Sequence, residues 1–412
     1  MNTTTLPTRP SGARTLSEPV AYVLSAAIIG FALFASATPS PLYETYSQLW
    51  GFSPVVLTLV YATYSLGVLV ALLLAGRTSD LAGRRPVLLI ALGALIASSI
   101  VYMFAESVAW LFVARAIQGL ATGLALGTAS AGLLDFHRRR DPESAGLTNG
   151  TVSAAGLALG ALVSAAAVQL LPAPRIVPYI VVLAMFAVAF VGVLMMPEPV
   201  EDRVPLRLTP QRPHVPAPAR QPFLVAALAV TSAYSIGGLF FALGPQLSAE
   251  LFASSNHIVT GVSLFLLAGV GAVAQLLYGR RAAWVGVVGG SVALAIGVGL
   301  IALAASEQAA APLLIGSAVG GAGFGVAFLG GLRNLSAAIP ADHRAGVMSA
   351  FFLVAYAALS IPAVLAGLAV TPLGLETTFE IFGAVVAALA LLVAFQAWRT
   401  RPRPAQLATE AP

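Results

Sequence analysis

The chain has 412 residues, 58% of them hydrophobic and only 9% charged, with a formal net charge of +5 and no Cys. Soluble domains carry about 25% charged residues, so this composition cannot coat a water-facing surface and belongs to an integral membrane protein. Without Cys there are no disulfides, thiolate metal sites or Cys nucleophiles. The four His (His137, His214, His257, His343) lie in polar loops or at helix ends, without the spacing of a metal pair, so no metal and no other cofactor is expected.

Apolar stretches run over residues 19–40, 54–75, 86–105, 110–134, 146–171 and 178–196, and again over 222–245, 257–278, 283–305, 312–336, 346–370 and 379–398. Each is about 20 residues or longer, enough for a helix to cross a hydrocarbon core of about 30 Å. In lipid every backbone N–H and C=O has to be satisfied within its own segment, so all twelve are expected to be α-helices. Ser53-Pro54 is a helix start signal, a capping hydroxyl followed by Pro at the first helical position. Ala35-Ser36-Ala37 looks like a signal-peptidase site, but the apolar run around it is too long for a signal region.

Placing both termini in the cytoplasm puts 19 of the 21 Arg on that side: Arg9, Arg14, Arg77, Arg84, Arg85, Arg138, Arg139, Arg140, Arg203, Arg207, Arg212, Arg220, Arg280, Arg281, Arg333, Arg344, Arg399, Arg401 and Arg403. Arg175 falls outside and Arg115 within a span. This positive-inside bias orients the chain in the cell membrane, with the lipid bilayer rather than nucleic acid as the partner of its basic charge.

In chain order, the first informative loop follows the second span: Gly76-Arg-Thr-Ser-Asp80-Leu-Ala-Gly83-Arg84-Arg85. The two Gly let the backbone turn and neighbouring helices approach. Asp80, a single carboxylate among three Arg, can pair locally or cap an adjacent helix, and breaking that pair would make it a conformational latch. An ordinary positive-inside loop explains the Arg but neither Asp80 nor the Gly spacing. In the fourth span Arg115 lies five residues past Trp110, about 7.5 Å along the axis. Arg115, Gly119, Gly123, Gly127 and Ala131 share one face, whose small residues allow close packing. Arg115 there either faces the bundle, as a functional group, or snorkels to the outer headgroups.

The fifth span carries Gly156 and Gly160. Residues 197–221 form a polar, Pro- and Arg-rich connector, semi-extended rather than folded. It separates a tail (1–18) and a first bundle (19–196) from a second bundle (222–398) and a closing tail (399–412). Echoes recur at a spacing of about 200 residues: Leu74-Ala-Gly76-Arg77 with Leu277-Tyr-Gly279-Arg280, Leu49-Trp50 with Leu251-Phe252, and Ala145-Gly146 with Ala345-Gly346. They point to a duplication in which the second loop has lost its acid. Tyr61, Tyr64, Asn149, Tyr234, Gln246, Gln275 and Tyr356 are candidates to line a cavity, and interhelical hydrogen bonding explains each of them as well.

Three of these features together resemble the major facilitator superfamily of secondary transporters. They are the loop pattern G-x-x-x-D-x-x-G-R-R (Gly76, Asp80, Gly83, Arg84, Arg85), the R-x-x-Q-G of the fourth span (Arg115, Gln118, Gly119), and part of the exporter signature G-x-x-x-G-P-x-x-G-G in the fifth. In that last motif Ala161 replaces Pro and Ser164-Ala165 replaces the Gly pair. Leu81 stands where the family usually has Arg or Lys. The resemblance implies an all-α membrane fold of two pseudo-symmetric six-helix bundles, alternating access, a functional monomer, and a role for Arg115 in coupling ion movement to substrate.

No Asp or Glu falls in the middle of a span; Glu44, Glu250, Glu307, Glu376 and Glu380 sit at outer ends or loops. With no mid-membrane carboxylate to hold a cation, a neutral or anionic small-molecule substrate is expected, and any proton carrier would be Glu44 or Asp80. An enzyme would need a nucleophile, a metal cluster or paired carboxylates, and none is offered. Proton-coupled efflux of a drug-like or sugar-like compound is the leading expectation; uptake by symport or facilitated diffusion is the alternative, favoured by the eroded exporter signature.

Overall fold

The computed structural model describes residues 15–401 apart from 255, 280 and 340–342. Arg9, Arg14, Arg280 and Arg403 of the charge pattern lie outside the described residues, as does most of both tails. The first half comprises α1 (Glu18–Ala37), α2 (Tyr43–Trp50), α3 (Pro54–Ala75), α4 (Thr78–Ala82), α5 (Arg84–Met103), α6 (Val108–Asp135), α7 (Pro142–Leu170) and α8 (Val177–Leu194). The second comprises α9 (Arg220–Leu251), α10 (His257–Tyr278), α11 (Ala283–Ser306), α12 (Ala310–Ala338), α13 (Arg344–Leu373) and α14 (Leu375–Arg399). Among the described residues there is no strand, and twelve spans are long and apolar enough to cross a membrane, α1 and α2 counting as one. The even number places both described chain ends, the α3–α5 loop and the connector at one end of the bundle, called here the linker end. The α2 helix and the α9–α10 turn lie at the far end.

The first span departs from expectation. It does not stop near residue 40: α1 ends at Ala37, a 3-10 turn follows at Ser40–Leu42, and α2 carries on to Trp50. Pro39 and Pro41 cause the break, because Pro lacks the N–H and clashes with the preceding turn. In the second half α9 runs through Pro245 without stopping. Helix starts follow sequence signals. Ser53 is extended before Pro54, although its hydroxyl makes no capping bond, whereas Asp141 accepts from the backbone N–H of Glu143 and Ser144, and Asn256 from Ile258.

Apolar residues such as Val188, Leu277 and Val385 are 71%, 74% and 62% exposed, an outer surface suited to lipid. Helices meet through Gly. A Cβ on Gly156 or Gly160 would come 2.2 Å from the carbonyl oxygens of Gly30 and Phe34, and one on Gly119 the same distance from that of Tyr64. Gly297 and Gly320 bring α11 against α12 in the same way. Gly127 differs from the rest of its stripe, since its nearest neighbour would be Leu72 Cδ2 at 3.8 Å.

The halves meet where α7 packs on α10 and α3 on α13. At the far end one continuous buried cluster draws on both halves, with Tyr43, Leu57, Val60 and Ala161 from the first and Leu239, Leu264, Leu267 and Ala366 from the second. At the linker end the buried clusters stay within their own half. There Arg333 of α12 pairs with Glu143 of α7 across the halves, and the connector's His214 N–H donates to the Gly346 carbonyl of α13.

Gly160→Ala forces its methyl into a backbone oxygen and is expected to lose about 1–3 kcal/mol of stability, whereas Gly127→Ala fits in ordinary contact. Thermal unfolding of the two variants in detergent should show a clear drop for the first and none for the second.

Candidate functional site

Arg115 is completely buried, so it does not snorkel. Its Nε and Nη2 both donate to the Tyr43 hydroxyl, at 2.9 and 2.5 Å. Nη1 donates to the Ser36 carbonyl at 3.0 Å and to Gln118 Oε1 at 2.8 Å, while Gln118 Nε2 donates to the Ala35 carbonyl at 2.9 Å. The guanidinium carbon lies 5.5, 5.9 and 5.3 Å from the ring centres of Tyr43, Tyr61 and Tyr64. Among the described residues no carboxylate pairs with it.

The last turn of a helix leaves carbonyls without intrahelical partners and carries the negative end of the helix dipole. Ala35 and Ser36 are in the last turn of α1, and their carbonyls face Arg115 and Gln118 because Pro39 and Pro41 stop the helix there. The broken helix end thus does the work that a carboxylate would do elsewhere. Rings and a phenolic oxygen complete the seat. Ser164 of α7 donates to the Thr38 carbonyl, which ties the same break to the next helix.

At the linker end, Asp80 accepts from Arg84 Nη1 at 2.5 Å, and Arg84 Nε donates to Asp135 at the end of α6 at 2.9 Å. The loop and the connector run antiparallel. Gln211 N–H donates to the Leu73 carbonyl, Thr209 N–H to Leu74 and Val204 N–H to Leu81, while the Thr78 hydroxyl donates to the Arg207 carbonyl. Glu198 of the connector accepts from the backbone N–H of both Arg84 and Arg85, at 2.9 Å each. Gly83 makes room for the connector, and Gly76 for both the Leu72 carbonyl of α3, 2.7 Å from an added Cβ, and the connector. A Cβ on Gly76 would meet Gln211 Cγ at 3.3 Å, and one on Gly83 would lie 2.6 Å from Glu198 Oε2, at a φ of 103° that only Gly adopts readily.

Residues 24–311 match the sequence model of the Major Facilitator Superfamily. The chain belongs to the major facilitator superfamily. An uncharacterized transporter of Rickettsia felis (strain ATCC VR-1525 / URRWXCal2) is 34% identical over 101 residues, and that match spans about a quarter of either chain (24% of each). The crystal structure of the human organic anion transporter MFSD10 (TETRAN) superposes with a TM-score of 0.66, at 19% identity, over 92% of this chain and 99% of that one. That likeness is one of fold.

Within this facilitator fold the anticipated residues fall into separate groups. Tyr61, Tyr64, Gln118 and Gly119 surround Arg115. Tyr234 lies 5.9 Å from Phe324, 5.5 Å from Phe328 and, edge-on, 6.5 Å from Tyr356, ring centre to ring centre. Asn149 is nearer the linker end, donating to Ser130 and accepting from Ser153, and Gln275 of α10 faces Gly150 beside it. Gln246 stands apart at the far end, where its amide donates to Glu250. Gly76, Asp80, Gly83, Arg84 and Arg85 are with the connector. Gly123 packs on Val68 and Ala71 of α3.

Sequence reading missed two residues that shape these sites. Tyr43 holds Arg115, and the signal for it was the Pro39-Ser40-Pro41 break, which ends one helix and starts the helix that carries Tyr43. Glu198 had no local signal, because it acts on a loop more than 100 positions earlier. Tyr43→Phe removes the oxygen that takes two of the Arg115 bonds while keeping the ring. A loss of about 1–3 kcal/mol follows from leaving a buried charged donor unmatched, and calorimetry of the purified variant should show it.

Proposed function

We propose that the protein is a secondary active transporter that works by alternating access and expels a small neutral or anionic compound, drug-like or sugar-like, in exchange for protons. It acts as a monomer in the cell membrane, with both termini and the connector in the cytoplasm. The observation that carries the substrate charge is Arg115, a buried cation whose seat is built from tyrosines and carbonyls and whose surroundings offer a permeating cation no counter-charge. The description of the MFSD10 fold neighbour as an organic anion transporter agrees with that sign. The orientation rests on the Arg-rich loops at the linker end.

The apolar seal at the far end and the polar crossing at the linker end correspond to a conformation closed to the outside. Alternation then requires the Arg333–Glu143 pair and the far-end cluster to open in turn. Asp80 and Arg84 form the hinge of this linker-end assembly, and Glu44 or Asp80 carries the proton. Uptake by symport or facilitated diffusion is the second reading. Gly156 and Gly160, the remains of the exporter signature, are fully accounted for by contact with α1, which removes them as an argument for export.

Direction is decided in cells. Deleting the gene should raise the internal level of the exported compound, and a fall would establish uptake. In proteoliposomes a permanently cationic dye should not be carried. Asp80 is 46% exposed, so Asp80→Asn removes a pair worth about 0.2–1 kcal/mol and should slow flux by at most about fivefold. Undiminished flux would remove Asp80 from the mechanism.

A further inference from the structure

Tyrosine hydroxyls in this protein divide into two classes. Those of Tyr22, Tyr43, Tyr46 and Tyr179 have hydrogen-bond partners within the fold. Those of Tyr61, Tyr234 and Tyr356 have none among the described residues, and neither has that of Tyr102, which is sealed at the far end of the first half; Tyr61 is buried, Tyr234 and Tyr356 half-buried. These three come from α3, α9 and α13, on both sides of the seam: Tyr234 packs against the cluster that contains Tyr61, and its ring centre is 6.5 Å from that of Tyr356. Unlike the Tyr102 hydroxyl, theirs are not sealed inside the fold, so they can meet a partner from outside it.

Their surroundings specify what would pair with them. Phe324 and Phe328 stack around Tyr234, and Tyr356 meets it edge-on, so the walls are flat and aromatic. Behind Tyr61 and Tyr64 stands the Arg115 cation, with its donors engaged inside the first half. No carboxylate of the described chain lies at mid-span to offset it. The full charge beside Tyr61 is therefore positive, which on that side of the seam favours an acceptor or an anion over a cation.

We propose that Tyr61, Tyr234 and Tyr356 form a binding site at the seam for planar aromatic compounds bearing a carboxylate or similar anionic acceptor, to which the three hydroxyls donate. Arg115 is a positioning residue here: it sets the field and holds Tyr61 and Tyr64 without touching the ligand. The inference rests on the transporter reading above and narrows its substrate class.

The test is equilibrium binding to the purified full-length protein, with 2-naphthoate as probe and cyclohexanecarboxylate and 2-naphthyltrimethylammonium as comparators. Naphthoate should bind, the saturated acid at least about tenfold more weakly and the ammonium weakest of all. Tyr61→Phe, Tyr234→Phe and Tyr356→Phe should each weaken naphthoate about 3- to 10-fold, the worth of one neutral hydrogen bond, with unchanged melting temperature. Tyr22→Phe, remote from the seam, should leave binding as it is. Equal binding of all three probes overturns the ligand class, and Phe variants that bind like Tyr22→Phe overturn the site. Because binding needs no gradient, naphthoate binding in this pattern without flux in proteoliposomes would overturn the transporter reading alone. Naphthoate flux undiminished in the three variants would overturn the site alone.

Discussion

A full positive charge is buried in this protein without a carboxylate to meet it, and much of the first half is arranged around that fact. Taking an ion out of water costs several kcal/mol even after relaxation, so the Arg115 guanidinium needs most of its donors filled. The fold meets this by ending α1 early. Two prolines stop the helix, its final carbonyls turn to Arg115 and Gln118, and the next helix opens with Tyr43, whose oxygen takes two bonds. Gly119, one turn past Arg115, lets α6 approach α3 closely enough for Tyr61 and Tyr64 to lie over the cation. Helix break, glycine stripe and tyrosine cage form one solution to one electrostatic problem.

The contact between the halves is chemically uneven along its length. At the far end the seam is a shared hydrophobic cluster, and separating it exposes apolar surface to water. At the linker end it is an ion pair, whose groups water can satisfy once they part. Arg333 also donates to the carbonyls of Gly279 and Arg281, so the second copy of the duplicated loop is held by the same side chain that reaches the first half.

Span number, helical class and the two-bundle plan were legible because lipid imposes a strict rule: an apolar run of sufficient length has to be a helix. Arg115 was legible for the opposite reason, since a charge inside such a run stands out. The inward direction of its side chain followed from the small residues that share its face. What escaped was tertiary. The first span hid its second helix because Pro-Ser-Pro reads as an end and the polar residues after it read as a loop. The connector read as a plain tether because its bonds are made by backbone groups, which every sequence possesses. Gln246, grouped with the cavity residues by polarity alone, lies far from them.

The connector fills the channel that Gly76 and Gly83 leave open, and Glu198 supplies the acid that receives the start of α5. The second loop keeps its glycine at 279, where among the described residues an added Cβ would meet only the Leu276 carbonyl, at 3.5 Å. The two halves echo one another in sequence, yet their order along the chain is not arbitrary. A chain assembled with the halves exchanged would present the first loop with its glycines intact and nothing laid across them. The motif and the connector are one structural unit, written in two places.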